Sequence, residues 1–154
     1  MFAGAVFAQA DKTVIDAFKK EAVPLQIEVE EAVNSVVPGL SGVVGRPQAT
    51  YLEGYGVVVS LEVSLAPTRT PFSSPKTPAE VRTIVKQRQK LVEEKLGSVL
   101  KDLVAKEQFL TEADSLTIAL HLFNSNPVDL PTLPSQLVLT VKKQDPATVI
   151  VREF

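Results

Sequence analysis

One stretch of sequence limits the fold more than any other: Tyr51 to Leu65, which reads YLEGYGVVVSLEVSL. With the two residues before it, this stretch has the β-branched and aromatic composition of a strand. A straight strand over residues 49–65 would be roughly 56 Å long at ~3.3 Å per residue. A domain of this chain length has a radius of gyration of only about 15 Å. We therefore predict a bend or bulge at Gly54 and Gly56, because glycines favour such places.

The segment EGYG within this stretch permits two interpretations. In a straight strand Tyr51, Glu53 and Tyr55 share a face with the apolar residues that follow, and Glu53 is the one charge among them. If the glycines only bend the chain, a bulge turns Glu53 outward. If the bare glycine surface admits a ligand or a partner's backbone, tyrosine and glutamate beside it can bind a polar group or transfer a proton. The candidate ligand or partner site then comprises Tyr51, Glu53, Gly54, Tyr55 and Gly56.

Most familiar catalytic and cofactor sites lack their essential residues in this chain. The sequence has no cysteine and one histidine, His121. Thiolate catalysis and cysteine-ligated metal are excluded, and a serine–histidine triad would have to use His121 without a G-x-S-x-G motif. Val59 stands where a nucleotide-binding loop that began at Gly54 would need its third glycine. We predict no catalytic residue of a known class, no cofactor and no metal. A carboxylate-only calcium or magnesium site is the alternative, and its candidates are either Glu28, Glu30 and Glu31 or Asp129 in the proline-rich loop.

The beginning of the chain resembles the end of an export signal. Residues 1–10, MFAGAVFAQA, are mostly apolar and end in Ala8-Gln9-Ala10, followed by the charged Asp11. Small residues three and one positions before a polar start suit signal peptidase. We predict that residues 1–10 are the remnant of a signal peptide and that residues 11–154 form a single domain in the periplasm or outside the cell. The apolar run is too short to span a membrane.

Two long helices are predicted from apolar residues spaced three and four apart. The first covers residues 12–37 and contains Pro24, which should kink it or start a second helix. The second runs from Pro78 to about Gln108, where Thr77 and Glu80 have the spacing of a capping box. Its buried stripe is predicted to comprise Val81, Ile84, Val85, Leu91, Val92, Leu96, Val99, Leu100, Leu103 and Val104.

Alternation of apolar and polar residues predicts three further strands, at residues 116–123, 136–143 and 148–154. Residues 39–48 are predicted to form a loop. The resulting order is α-β-α-β-β-β. The predicted fold class is α+β with two layers, in which two long helices pack on one face of a mostly antiparallel sheet of about four strands.

Three sequence segments carry a resemblance: YLEGYGVVVSLEVSL, LPSQLVLTVKK near residue 140 and IVREF at the end. In combination they resemble a group of exported bacterial proteins of uncharacterised function. The likeness covers most of the chain after residue 10. It implies a secreted domain of helices and a sheet, and it implies nothing about activity.

These patterns favour a non-enzymatic binding or assembly domain of the bacterial cell envelope. The last predicted strand can be an exposed edge that accepts a strand from an envelope protein or from a second copy of the chain. The formal net charge of −2 gives no attraction to nucleic acid. Two alternatives are a hydrolase with a glutamate–tyrosine site near Glu53, and a carrier that holds an apolar ligand between the second helix and the sheet.

Overall fold

The computed structural model describes residues 11–37 and 42–154. The predicted signal-peptide remnant, residues 1–10, lies outside this range. In the described part of the chain the elements are α1 (Lys12–Val36), β1 (Gly42–Leu52), β2 (Gly56–Ser64), α2 (Pro78–Lys106), β3 (Ser115–Leu122), β4 (Gln136–Lys142) and β5 (Asp145–Glu153).

The five strands form one sheet in the order β1-β2-β3-β4-β5. β2 and β3 are parallel and joined through α2, whereas the other three neighbouring pairs are antiparallel. Both helices pack on the same face of the sheet: α1 lies against β1, and α2 lies against β3, β4 and β5. The predicted two-layer α+β class is confirmed. The sheet has five strands and is mixed, where about four mostly antiparallel strands were predicted.

The predicted element order missed one strand. Residues 39–48 were predicted as a loop and residues 49–65 as one long strand. Residues 39–41 lie outside the described part of the chain, and residues 42–48 belong to β1. Instead, β1 and β2 form a hairpin, in which Leu52 pairs with Gly56. β1 contains Pro47, and its register with β2 shifts between Val44 and Gln48. Proline and bulges are typical of edge strands, which is where β1 lies. The order is therefore α-β-β-α-β-β-β.

Both predicted helices form, with differences in detail. α1 continues through Pro24 as one helix. Thr77 begins α2 with the predicted capping box: its backbone N–H donates to Glu80 Oε2 over 2.7 Å, and the Glu80 N–H donates to Thr77 Oγ1 over 3.3 Å. One predicted core position of α2 is wrong, because Leu91 is 46% exposed.

The core lies between the helices and the sheet. Alternate residues of β2, β3 and β4 point into it and meet the apolar faces of α1 and α2. Its largest fully buried side chains include Leu25, Leu96, Leu100, Leu103, Leu116, Ile118, Leu120, Leu137 and Leu139. The remaining residues of these strands, between the buried ones, point to the opposite, outer face of the sheet. In the described part of the chain no helix covers this outer face.

Candidate functional site

The segment EGYG is the turn of the β1–β2 hairpin. Glu53, Gly54 and Tyr55 connect the paired Leu52 and Gly56, and the Tyr55 N–H donates to the Leu52 carbonyl over 3.0 Å. Gly54 has φ +75° and Gly56 has φ +120°, which side-chain-bearing residues rarely adopt. The predicted bend at the two glycines is thus a complete reversal of the chain.

Gly56 has a second role, because β3 passes very close to it. A Cβ atom at Gly56 would lie 2.1 Å from the carbonyl oxygen of Ser115, whereas one at Gly54 would meet nothing within 4 Å. The Ser115 N–H donates to the Tyr55 carbonyl over 2.7 Å. The absence of a side chain at Gly56 therefore allows the hairpin to pair with β3.

Tyr51 lies on the helix-facing side of the sheet. Its ring centroid is 5.9 Å from that of Phe18 in α1, and Phe18 in turn lies 6.1 Å from Phe109. Partial burial, Asp114 and Glu53 all raise the pKa of the Tyr51 phenol. The Tyr51 phenol is therefore a weaker acid than a free tyrosine, and its ring packs against Phe18.

Tyr55 lies on the opposite, outer face. Its hydroxyl is 2.7 Å from Thr117 Oγ1, which is in turn 2.9 Å from Thr140 Oγ1. This row of three hydroxyls crosses from the hairpin turn over β3 to β4. It fixes the Tyr55 side chain against the sheet and satisfies the hydroxyl of Thr117, which is buried.

The five predicted site residues therefore share one hairpin but do not form one pocket. The expectation that Tyr51 and Tyr55 share a face is wrong, because the turn reverses the chain between them. The Glu53 side chain is exposed at the turn. A hydrolase site would require Glu53 and Tyr55 to line a common pocket, and the three clefts described next have other linings.

Two clefts flank the start of α2. The first, of about 720 Å³, lies between the loop that follows β2 and the loop that follows β3, where Arg69 approaches Asp129 at 3.9 Å. The second, of about 590 Å³, lies between α2, residues 130–134 and the end of β5. Arg82, Lys86 and Lys90 line its α2 side. The second cleft opens only at the end of β5. Deeper between α2 and the sheet, packed leucine and valine side chains fill the space in which the carrier hypothesis would place an apolar ligand.

The third cleft, of about 540 Å³, lies between the start of α1 and the end of α2, and Glu107 lines it. Glu107 is only 4% exposed. Burial and the neighbouring carboxylate of Glu21 raise the pKa of Glu107 above its ordinary value. Buried carboxyls with raised pKa values are typical of functional sites as well as of strained packing. Glu107 sits in an ordinary helix-end sequence, EQF, whose spacing does not mark it as a site residue.

The raised pKa of Glu107 predicts a pH-dependent effect of Glu107→Gln. The native state favours the protonated acid, so its contribution to the free energy of unfolding is largest at low pH and falls as pH rises from the ordinary glutamate pKa through the raised one. We expect Glu107→Gln to be more stable than the wild type at pH 7, with an advantage that disappears near pH 4. Urea unfolding at several pH values measures this. Glu112→Gln, at an exposed position, is the control, and a difference that does not vary with pH would contradict the assignment.

Other polar groups form no metal site in residues 11–37 and 42–154. In this range no three histidine, aspartate or glutamate side chains lie close enough together to hold an ion. His121 is exposed at the end of β3, with Nδ1 3.3 Å from Gln136 Nε2. Neither helix is long and apolar enough to cross a membrane.

The two edges of the sheet differ in how they are protected. At the β1 edge, Pro47 lacks a backbone N–H, the register shifts beside it, and Gly45 has φ +79°. Proline, bulges and left-handed residues prevent a foreign strand from pairing with an edge. At the other edge of the sheet, β5 pairs with β4 in an unbroken register from Val149 to Glu153. We call Val149–Glu153 the β5 edge. Before Val149, β5 contains Pro146 and a register shift opposite Val141 and Lys142, so its regular part begins at Val149.

The β5 edge directs a row of backbone groups outward. Phe154 and Gln136 exchange both backbone hydrogen bonds, over 3.0 and 3.2 Å. Hydrogen-bonded pairs alternate along an antiparallel ladder, so Arg152 and Ile150 also bond to β4. The N–H and C=O groups of Val149, Val151 and Glu153 therefore point away from the sheet. Val151 is 43% exposed and Phe154 is 63% exposed.

Comparison with known proteins found no match to this chain among protein-family models, curated proteins or solved structures.

Proposed function

We propose that this protein is an exported binding or assembly domain of the bacterial cell envelope, and that it binds by accepting a strand at the β5 edge. Strand addition uses backbone hydrogen bonds for affinity and alternate side chains for specificity. It requires no cofactor and no catalytic residue. The proposal of export is based on the Ala8-Gln9-Ala10 pattern. The proposed mode of binding is based on the exposed β5 edge of the sheet.

The single observation that carries this proposal is the contrast between the two edges. Evolution disfavours exposed, regular edges because they aggregate, and it places proline, lysine or a bulge there. β1 has such protection at Pro47. The β5 edge has none between Val149 and Val151, where its side chains are apolar. An unprotected edge of this kind is expected where pairing with a partner is the function.

Site-specific crosslinking tests the proposal. A photoreactive phenylalanine derivative replaces Val151 at the β5 edge or, as control, Val44 at the β1 edge. The two valines are 43% and 46% exposed, so the substitutions are matched. After illumination in envelope extract, we expect one discrete adduct from position 151, which excess unmodified protein competes away, and none from position 44. Equal adducts from both positions, or none from position 151, would reject the β5 edge as the binding site.

A further inference from the structure

The β5 edge can pair with itself. We infer that its partner is a second copy of this chain, joined antiparallel across a two-fold axis at Ile150. This inference rests on the proposed function, because it fills the same edge with a named occupant. The resulting dimer has one continuous ten-stranded sheet. Isologous contacts across a two-fold axis are the commonest form of homo-oligomer.

The hydrogen-bonding pattern of β5 suits this pairing. With the axis at Ile150, Val149 lies opposite Val151 of the second copy, and Val151 lies opposite its Val149. These are the residues whose N–H and C=O groups point outward, so the two pairs can exchange four backbone bonds. Ile150 and its symmetry mate then form the non-hydrogen-bonded pair between them, where side chains approach most closely.

The side chains select this register over its neighbours. With the axis at Ile150, Arg152 and Glu153 extend past the paired valines towards residues 146–148 of the second copy, an irregular segment that carries no charge, so no like charges meet. With the axis at Arg152, two arginines would lie directly opposite each other, which destabilises an antiparallel pair. With the axis at Val151, Glu153 would lie opposite Val149 on the helix-facing side. The register at Ile150 places isoleucine against isoleucine and valine against valine.

α2 packs closely on β5 and holds it in place. Gly97 lies above Val149, where an added Cβ would be 3.6 Å from the valine methyl group. The missing side chain at Gly97 lets α2 approach β5 closely, with Val149 packed beneath it. At the other end of the β5 edge, Gln89 of α2 donates to the Glu153 carboxylate over 2.8 Å, which fixes the strand end.

Charge exchange at Ile150 tests the dimer and its register together. We expect the purified wild type to sediment at twice the 16.7 kDa mass of one chain at micromolar concentration. I150K and I150E should each weaken the dimer about tenfold or more, because each brings two like charges together at the axis. An equimolar mixture of the I150K and I150E chains should dimerise again, since residue 150 then faces its opposite charge. Val44→Lys, at the other edge, should leave the mass unchanged.

Two outcomes overturn the inference. One is a wild type that sediments as a monomer up to ~100 µM, which requires no variant to fold. The other is a dimer that I150K and I150E leave intact. If the wild type is monomeric and position 151 still gives an adduct with a different envelope protein, the proposed function stands and the self-pairing is rejected. If position 151 gives no adduct of any mass, the proposed function itself is rejected.

Discussion

Gly56→Ala is expected to have one of the two largest effects on stability. The substitution places a Cβ atom 2.1 Å from the Ser115 carbonyl and forces alanine to φ +120°. The unfavourable backbone conformation costs about 1–3 kcal/mol, and overpacking costs typically about 1–3 kcal/mol more. Relief of the clash requires the hairpin and β3 to separate, which breaks the parallel pairing at the centre of the sheet. We expect the free energy of unfolding to fall by roughly 2–6 kcal/mol, measured in urea.

Gly54→Ala separates the two causes. Gly54 lies two residues earlier in the same turn, also has a positive φ, and has open space where its Cβ would be. Its substitution should cost only the left-handed conformation, about 1–2 kcal/mol. If Gly54→Ala and Gly56→Ala destabilise the protein equally, the close approach of β3 to Gly56 has no energetic importance.

Leu96→Ala is expected to have the other large effect. Leu96 lies in α2, is fully buried between the helix and the sheet, and leaves a cavity when it is truncated. Buried leucine-to-alanine substitutions cost about 2.7–5 kcal/mol, in proportion to the cavity that remains. Because small domains have total stabilities of about 5–15 kcal/mol, this loss lowers the midpoint of unfolding markedly.

Leu91→Ala is the matched control. Leu91 lies in the same helix, and the apolar spacing of α2 predicts burial for both leucines. In the structure Leu91 is 46% exposed. We expect Leu91→Ala to cost less than about 1 kcal/mol, since exposed positions tolerate substitution. A loss at Leu91 as large as the loss at Leu96 would mean that α2 is rotated about its axis relative to the orientation described.

Those parts of the fold that depend on local spacing could be predicted from the sequence. Thr77 and Glu80 identify the start of α2 because a capping box involves only residues three apart. The alternation in β3 and β4 identifies their buried faces for the same reason. Leu91 shows the limit: it fits the spacing, but the width of the buried stripe depends on how α1 and the sheet surround α2, which no local pattern contains.

β1 and the EGYG turn could not be predicted from local residue spacing. Gly45 and Pro47 are unfavourable in most strands, and only an edge position makes them acceptable. With residues 39–48 predicted as a loop, the residues before the glycines join β2 in one predicted strand, and Tyr51 and Tyr55 share one face of it. The reversal at Gly54 depends on β1 as the partner of β2, and the contact of Gly56 with Ser115 depends on β3, which lies about 60 residues later in the chain. The candidate site was therefore misjudged in geometry although its residues do mark a distinctive turn.

Amide hydrogen exchange at the β5 edge tests the central claim most directly. The claim is that β5 pairs with a second copy of the chain, so the outward N–H groups of Val149 and Val151 should be hydrogen-bonded in the dimer and free in the monomer. We expect their exchange, followed by NMR over a dilution series, to slow at least tenfold as the protein passes from monomer to dimer, while amides near Val44 do not change. Exchange of Val149 and Val151 at the rate of exposed amides at every concentration would contradict self-pairing through β5.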